Sequence, residues 1–250
     1  MNTILEIKNL YKNYQTKEKE IITLNNINMK VNEGDFLGII GPSGAGKTTL
    51  LSIIADLEKY SSGEIIKKDN LKIGYMLQKD YLMPYLTILD NCLLGLKVQR
   101  KCTKENIQKT KDLLIKYGLG NYIYSYPSDL SGGQRQRAAL IRTLAINPDI
   151  LLLDEPFSAL DYQTRLNISK DIKEIIKNEN KTLIIVTHDI GEAIRICNRI
   201  IVLSKAPSSI KSIYQINYDF DDIIDNLNDD FMYYYKKIWS DLNNDKWRKR

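Results

Sequence analysis

Apolar and polar positions in the first part of the chain alternate, and farther on the apolar residues collect into short unbroken runs. From residue 3 to residue 31 the apolar side chains recur mostly two apart, on either side of the charged turn Lys17-Glu18-Lys19-Glu20. Segments of this period with a polar break predict antiparallel strands. The unbroken runs are Phe36–Ile40, Ile150–Leu153, Thr182–Thr187 and Ile200–Leu203. Such runs predict strands that are buried on both faces of a mostly parallel sheet, so the fold class is α/β.

The apolar spacing becomes helical between residues 88 and 146, which predicts a helical insert at about residues 84–147. Apolar side chains recur there three and four apart up to Tyr117, and Gly118 and Gly120 are stop signals. Ser131 is placed to cap a further helix over Gln134–Ile146. We therefore expect helices inserted between β-containing parts of the chain.

The C-terminal part, residues 211–250, has a different composition. Large apolar residues recur three and four apart from Phe231 to Leu242, which predicts a short amphipathic helix. Residues 219–230 hold six aspartates, and four of the last five residues are basic. We expect these charge blocks to be solvated tails; contact of the basic end with anionic lipid or nucleic acid is the alternative.

A glycine-rich segment, GPSGAGKT, follows the first buried strand and precedes a predicted helix. The order of strand, glycine-rich turn and helix matches the P-loop, whose backbone N–H groups and helix N-terminus hold nucleotide phosphates. The glycines permit positive φ and close approach of the backbone, Lys47 would place its charge on the β- and γ-phosphates, and Thr48 would offer a hydroxyl to Mg²⁺. The candidate nucleotide-binding residues of this segment are Gly41, Pro42, Ser43, Gly44, Ala45, Gly46, Lys47, Thr48 and Thr49. The flanking strand and helix disfavour an ordinary glycine-rich turn, so we expect the chain to bind a nucleoside triphosphate.

Two buried-type strands end in residues that suit phosphate chemistry. Asp154 and Glu155 end one of them, and adjacent carboxylates are costly there unless they meet a cation or a reacting water. Asp154 would hold Mg²⁺ and Glu155 would polarise the attacking water, whereas the alternative is a solvated strand-to-loop junction. His188, the only histidine, follows another strand at the same relative place, where open α/β sheets bind ligands. We therefore expect His188 to contact the γ-phosphate rather than to be structural.

Two further segments are weaker candidates for nucleotide contacts. Ser131-Gly132-Gly133 leaves backbone N–H groups uncovered at a helix start, which makes a second anion site, although a capped helix alone explains the same residues. Tyr14 stands at the edge of the charged turn and is able to stack on adenine. Its alternative is one exposed tyrosine among 16.

Composition limits the remaining classes of protein. The 250 residues are 43% apolar, enough for a substantial core, and no apolar run approaches the ~18 residues that span a bilayer. We expect no signal peptide, a cytosolic location and three reduced cysteines, since these are odd in number and follow no metal-ligand spacing. The net charge of +5 does not by itself indicate nucleic-acid binding.

Together these stretches resemble the ATP-binding subunit of ABC transporters, from about Leu5 to Leu203. The matching motifs are Walker A (Gly41–Thr48), the Q-loop glutamine (Gln78), the signature (Leu130–Gln134), Walker B (Ile150–Glu155), the D-loop (Ser158–Asp161), the switch histidine (His188) and the adenine-stacking aromatic (Tyr14). The signature discriminates best, because many P-loop enzymes share Walker A but lack LSGGQ.

The resemblance implies a P-loop (RecA-like) core with an N-terminal antiparallel β subdomain and an inserted α-helical subdomain, together forming an ATP-binding domain over residues 1–210. It implies ATP and Mg²⁺ as cofactors, with Gln78 sensing Mg²⁺ and the lytic water. It also implies a second ATP-binding subunit, in a homodimer, whose signature completes each ATP site. The residues carried over for that contact are Ser131, Gly132, Gly133, Gln134 and Asp161.

The same resemblance implies partners in a membrane. Force would pass to separate membrane-spanning permease subunits that dock around Tyr81–Asn91, and an extracytoplasmic solute-binding protein would take part indirectly. The protein would be peripheral, at the cytoplasmic face of the cell membrane, and no nucleic acid is expected as a partner.

A finer resemblance is to the nitrate/sulfonate/taurine importer branch, on Leu82–Asn91, Phe157–Arg165, Ser204–Ile210 and the terminal helix through Trp239. The chain departs from the branch at Tyr85, where tryptophan is usual, at Asp56, where glycine is common, and in a short link from Gly63 to Gln78.

Three rival functions are weighed against this one. A soluble ABC ATPase acting on nucleic acid or ribosomes usually carries a coiled-coil insert or two nucleotide domains, and neither is visible in the sequence. A GTPase would need an Asn-Lys-x-Asp element, but Asn180-Lys181-Thr182-Leu183 lacks the aspartate. The importer-branch segments disfavour an exporter component.

Overall fold

The computed structural model describes residues 2–15, 19–158, 160–217 and 229–247. The chain forms two compact units, one made of Met1–Leu71 with Thr182–Arg250 and the other of Lys72–Lys181. Most of the acidic stretch within 219–230 and the basic side chains at the end lie outside the described residues.

In chain order the elements are β1 (Thr3–Gln15), β2 (Glu20–Asn32), β3 (Phe36–Ile40), α1 (Lys47–Ile54), β4 (Ser62–Lys67), β5 (Ile73–Met76), α2 (Ile88–Val98), α3 (Lys104–Lys116), α4 (Gly132–Leu144), β6 (Ile150–Asp154), α5 (Tyr162–Asn178), β7 (Thr182–Thr187), α6 (Ile190–Ile196), β8 (Arg199–Leu203), β9 (Ile210–Gln215) and α7 (Asp229–Trp247). Short 3-10 turns occupy Gly120–Tyr122 and Pro127–Asp129. None of the helices in the described part of the chain is both long and apolar enough to cross a membrane.

The first unit contains the predicted antiparallel strands. β1 pairs with β2 on one side and with β4 on the other, both antiparallel. Alternate side chains such as Leu5, Ile7, Leu10 and Ile27 are buried, which is the period-two pattern of the sequence realised as one packed face. The prediction of antiparallel strands before the glycine-rich segment is confirmed.

The same unit contains a second group of strands, in the order β7-β3-β8-β9. β3 runs parallel to β7 and β8, and Ile40 is in register with Thr187 on one side and Val202 on the other. The side chains of Leu37, Ile39 and Ile40 are fully buried, as the unbroken apolar run predicts. The register brings the segments that follow β3, β7 and β8 to one edge of these strands.

The second unit contains one parallel strand pair and four α-helices. Met76 at the end of β5 is in register with Leu153 of β6. α2, α3 and α4 surround a core that includes Ile88, Cys92, Leu114 and Ile141. Burial raises the pKa of the Cys92 thiol to about 12, so this cysteine stays a neutral, inert core side chain.

The bounds of one helix and the presence of one strand differ from the prediction. α4 begins at Gly132 rather than Gln134 and ends at Leu144, because both glycines form part of the first helical turn after the Ser131 cap. β9 was not predicted: it is antiparallel to β8, and its residues alternate between partly buried and exposed, with polar Ser212 on the partly buried face and Ile213 on the exposed one.

The departure at Asp56 has a local explanation. The backbone of Asp56 has φ 58°, a left-handed conformation that glycine adopts freely and aspartate tolerates better than most residues. The Asp56 carboxylate also accepts a hydrogen bond from Lys67 Nζ. Aspartate is therefore compatible with the left-handed conformation of the turn after α1.

Candidate functional site

The glycine-rich segment forms a tight loop between β3 and α1. Gly44 and Gly46 have φ values of 76° and 77°, which disfavour any side chain. A Cβ on Gly46 would lie 2.7 Å from Thr23 Cγ2, and one on Gly41 would lie 3.1 Å from Leu203 Cβ. Gly41 therefore serves close packing, whereas Gly44 and Gly46 also serve the turn itself.

The start of α1 lies open to an acceptor. Gly46 is its N-cap, and among the described residues no side chain caps the helix there. The first N–H groups of a helix need acceptors, and the helix dipole favours an anion at this end. A phosphate group meets both needs, so the loop is built as an anion site.

Lys47 brings a buried positive charge into the loop. Its side chain is 7% exposed, and Nζ donates to the carbonyl oxygens of Gly41 at 2.9 Å and of Pro42 at 3.0 Å. The amine therefore lies against the beginning of the loop while its own residue begins α1. A buried positive charge and the N-terminus of α1 thus lie within one short segment.

Tyr14 lies beside the start of α1. Its hydroxyl is 3.5 Å from Thr49 Oγ1, and its ring is about one-third exposed. Lys12 Nζ lies 4.4 Å from the ring centroid, while it also pairs with Glu58 at 2.7 Å. The structure therefore places an accessible aromatic ring next to the phosphate loop.

His188 lies on the other side of the loop, as the register of β3 and β7 requires. His188 and Gly41, Pro42 and Ser43 line one cleft of about 480 Å³. Its remaining lining residues are Asp189, Ile190, Lys205, Tyr235, Trp239, Leu242 and Asn243. Four of these residues, Tyr235, Trp239, Leu242 and Asn243, belong to α7. The apolar spacing predicted an amphipathic helix there but did not predict that the helix lines this cleft.

The second unit gathers Gln78, Asp154, Glu155 and Ser158 after its parallel strand pair. Gln78 Nε2 lies 3.5 Å from Glu155 Oε2 and 3.4 Å from Ser158 Oγ. Asp154 is 5% exposed, and the Tyr75 hydroxyl donates to its Oδ2 at 3.3 Å. Three polar side chains of the predicted site therefore meet at one strand edge, with a buried carboxylate next to them.

Glu155 has an unusual backbone conformation. Its φ is 44°, in the left-handed region that non-glycine residues rarely adopt. Such a conformation costs on the order of 1 kcal/mol or more and is found mostly where the aim of a side chain is functional. The turn directs this carboxylate toward Gln78 instead of continuing the strand.

The signature segment forms the start of α4. Ser131 Oγ accepts from the Gln134 backbone N–H, and Gln134 Oε1 accepts from the Ser131 N–H at 2.9 Å, so the two residues form a capping box. The prediction of Ser131 as an N-cap is confirmed. A Cβ on Gly133 would lie 2.2 Å from Ile168 Cδ1, so this glycine allows α4 to approach α5 closely.

Asp161 caps α5 in the same unit. Its Oδ1 accepts from the Thr164 backbone N–H at 3.0 Å. The hydrogen bonds from Thr164 lower the pKa of this carboxyl, so Asp161 is anionic at neutral pH. Asp161, which is a predicted nucleotide-contact residue, therefore also stabilises the start of α5.

The segment after Gln78 is tied to the signature helix. Arg142 donates to the carbonyl oxygens of Asp80 and Tyr81, at 2.5 and 2.8 Å. Arg135 pairs with the Asp80 carboxylate at 3.4 Å and donates to Leu130 O at 2.7 Å. Two arginines on one face of α4 thus join the Gln78 segment to the residue that precedes the signature serine.

The Asn91 side chain stabilises the conformation of the predicted docking segment, Tyr81–Asn91, through hydrogen bonds to its backbone. It is fully buried; its Oδ1 accepts from Met83 N at 2.7 Å, and its Nδ2 donates to the carbonyl oxygens of Met83, Leu86 and Thr87. The aromatic rings of Tyr81 and Tyr85 lie exposed on the same segment. One amide therefore orders a loop that presents aromatic surface.

We expect Asn91→Ala to destabilise the protein by about 3 kcal/mol, because it removes several buried hydrogen bonds and leaves backbone groups without partners. Chemical denaturation followed by circular dichroism measures this change. Asn178→Ala, at an exposed position near the end of α5, is the matched control and should change stability by less than about 0.5 kcal/mol. Equal stability of the two variants would refute the ordering role of Asn91.

The folded units carry the parts of an ATP-binding cassette: a phosphate loop, a strand-end carboxylate pair with a glutamine, and a capped signature helix. The family model for ABC transporters matches residues 24–158. The chain belongs to this family, and it is an ABC-type ATPase with a nucleotide-binding site. The α/β fold, with a P-loop core, N-terminal antiparallel strands and inserted helices, is confirmed.

Known relatives match most of the chain. An uncharacterized ABC transporter ATP-binding protein, YtlC of Bacillus subtilis strain 168, is 41% identical over 96% of both chains. The aliphatic sulfonates import ATP-binding protein SsuB of Bacillus cereus strain ATCC 10987 is 37% identical over 86% of this chain and 87% of its own. A dimeric structure of the ATP-binding cassette MJ0796, bound to ADP and Pi, is 36% identical and matches with a TM-score of 0.72, covering 86% of this chain and all of that one.

Proposed function

We propose that this chain is the ATP-hydrolysing subunit of an ABC importer that energises uptake of a small anionic or organic solute, such as nitrate, a sulfonate or taurine, through separate membrane subunits. The observation that carries the proposal is the presence in one chain of a phosphate loop with the buried Lys47 at the start of α1, and of a signature helix that begins with Gly132 and Gly133. The resemblance to a sulfonate import protein supports the solute class. The glutamine transport protein GlnQ of Escherichia coli, 39% identical over 81% of this chain, supports import more generally.

The phosphate loop holds the nucleotide in this proposal. Lys47 neutralises the β- and γ-phosphates, the N–H groups of α1 bind their oxygens, and His188 contacts the γ-phosphate from the adjoining strand end. The lining of one cleft by His188 and Ser43 supports this arrangement. The loop backbone from Gly41 to Thr49 thereby fixes the phosphates in position.

Glu155 and Gln78 prepare the water in the second unit. Glu155 accepts a proton from the attacking water, and Gln78 orients that water. Within the second unit, the Asp154 carboxylate and the Gln78 amide would offer oxygens to Mg²⁺, which prefers oxygen ligands. In the first unit, the Thr48 hydroxyl would offer such an oxygen. The buried Asp154 carboxylate fits this ion, which when bound neutralises phosphate charge.

A second copy of the chain completes each ATP site. Ser131, Gly133 and Asp161 of one copy lie over the phosphate loop of the other, and the start of the signature helix contributes backbone N–H donors. Gly132 and Gln134 take part through the backbone and through the cap of this helix start. The dimeric structures of the related cassette MJ0796 support a dimer for this chain.

The membrane partners dock at the Tyr81–Asn91 segment. Its exposed aromatic side chains, held by Asn91, offer a surface that separate permease subunits recognise. The protein would thus be peripheral, at the cytoplasmic face of the membrane, with an extracytoplasmic solute-binding protein acting indirectly. Residues 1–210 form the ATP-binding domain, with the helical part near 84–147, and residues 211–250 form an extension.

Co-purification tests this function. The chain is tagged in its own cells, the membranes are solubilised in mild detergent, and co-purifying proteins are identified by mass spectrometry. We expect a multi-span membrane subunit, which Tyr85→Asp should release while ATP binding persists. Recovery of ribosomal or DNA-bound material instead, under conditions that preserve a known transporter, would overturn the proposal. Solutes are then compared by their stimulation of ATP hydrolysis in the purified complex.

We expect Tyr14→Ala to raise the KM for ATP by about 5- to 100-fold with a smaller effect on kcat, since stacking on a base contributes about 1–3 kcal/mol. Tyr14→Phe keeps the ring and should keep a near-normal KM. Tyr124→Ala removes an exposed tyrosine of the other unit and serves as the control. An unchanged KM in Tyr14→Ala would show that the ring has no part in nucleotide binding.

A further inference from the structure

Helix α7 has two different faces. Phe231 and Ile238, seven residues apart, are buried against the first unit. Tyr235, Trp239 and Leu242 follow at spacings of four and three on an adjoining face, and all three line the cleft beside the phosphate loop. The Trp239 side chain is 53% exposed, so a large apolar group borders an open cleft.

Besides the buried Phe231 and Ile238, hydrogen bonds to Asp241 hold the helix in this position. Asp241 Oδ2 accepts hydrogen bonds from the hydroxyls of Ser212 and Tyr214, and the Asp241 carbonyl accepts from Lys211 Nζ. Burial, and then the hydrogen bond to Asp241, raise the pKa of Tyr214 to about 12, so this phenol remains a donor at neutral pH. Helix α7, which forms one side of the cleft, is therefore hydrogen-bonded to β9.

We propose that this cleft is a contact surface for a second copy of the chain, which covers Trp239 when the ATP-bound dimer forms. The inference rests on the proposed dimer and adds the C-terminal helix to its interface. Gly41, Pro42 and Ser43 form one side of the cleft and belong to the loop that the partner signature is proposed to cover. A second copy that covers this loop would therefore also contact the α7 residues on the other side of the cleft.

Trp239 has the properties of an interface anchor. Tryptophan is enriched at the residues that dominate binding between proteins, since it buries a large rigid surface at little cost in conformational entropy. Its neighbour in the cleft, Asn243, donates through Nδ2 to the Trp239 carbonyl at 3.0 Å, which holds the end of this helical face together. A partner would bury the indole without rearranging α7.

The first test measures dimer formation in the Glu155→Gln background, where the proposed role of Glu155 keeps ATP bound without turnover. Light scattering during size-exclusion chromatography is recorded over a series of Mg-ATP concentrations. We expect Trp239→Ala to raise the ATP concentration for half-maximal dimer by about 10-fold or more. Tyr233→Ala, an exposed aromatic of α7 outside the cleft, is the control and should leave that concentration unchanged.

The second test follows Trp239 itself. Trp247, the only other tryptophan, is replaced by Phe so that emission reports Trp239 alone. We expect ATP to shift the emission to the blue and to reduce acrylamide quenching in the Glu155→Gln protein. Adding Ser131→Arg, which blocks closure through the signature, should abolish both changes while ATP remains bound.

The outcomes separate the two proposals. Failure of the Glu155→Gln parent to dimerise would overturn the proposed dimer and this surface with it. A normal parent dimer together with an unaffected Trp239→Ala variant would overturn the surface alone. Protection of Trp239 in the Ser131→Arg monomer would show that nucleotide, and not a second copy, fills the cleft.

Discussion

Lys47→Ala is expected to abolish measurable ATP hydrolysis, lowering kcat/KM by about 10²- to 10³-fold or more, because it removes the charge placed against the phosphates. The buried amine is held by the carbonyls of Gly41 and Pro42, so it is already positioned before nucleotide arrives. A charge positioned in advance and shielded from water acts more strongly than one on the surface. Release of inorganic phosphate and equilibrium binding of a fluorescent ATP analogue measure the two losses.

Folding must be separated from chemistry in this variant. Lys47→Met keeps most of the side-chain volume and removes only the charge, so its loss of activity should match that of Lys47→Ala. Lys68→Ala, at an exposed lysine of the same unit, should hydrolyse ATP at the normal rate. Hydrolysis near the normal rate by folded Lys47→Met would refute the assignment of the phosphate site.

Most strands and helices could be predicted because local patterns determine them. The buried run Phe36–Ile40 became β3, and Ser131, which has the side chain of an N-cap, caps α4. β9 could not be predicted, since it is stabilised by pairing with β8 and carries no strong pattern of its own. The two-residue error at the start of α4 arises because glycine signals a break, whereas the tight packing of Gly133 on Ile168 favours helix.

The candidate site, like the fold, could be predicted from the sequence only in part. The P-loop pattern identified Lys47 as a candidate, the strand end identified Glu155, and the resemblance to the ABC family identified Gln78; their roles remain predictions. The sequence did not reveal that Trp239 borders the cleft of the phosphate loop, because this depends on hydrogen bonds between Asp241 and a strand about 30 residues earlier. Nor did it reveal that Arg142 ties the Gln78 segment to α4, because its partners are backbone carbonyls, which no sequence pattern indicates.

Glu155→Gln is expected to slow ATP hydrolysis by about 10²- to 10⁴-fold while ATP binding persists. The amide has nearly the shape of the carboxylate but cannot accept a proton from water. The left-handed backbone at Glu155 belongs to the turn, and the glutamine side-chain oxygen is still able to accept from Gln78 Nε2, so the variant should keep the geometry of this strand end. Bound ATP that is not hydrolysed should then hold two copies together.

Two measurements on one sample separate catalysis from assembly in this variant. Single-turnover hydrolysis gives the loss of the chemical step, and light scattering with Mg-ATP gives the mass of the complex. Glu174→Gln, at an exposed position on α5, makes the same chemical change away from the strand end and should alter neither quantity. A Glu155→Gln protein that binds Mg-ATP but stays monomeric would contradict the shared site, whereas one that hydrolyses at the normal rate would remove Glu155 as the base. Because the two results are independent, each identifies which part of the mechanism has failed.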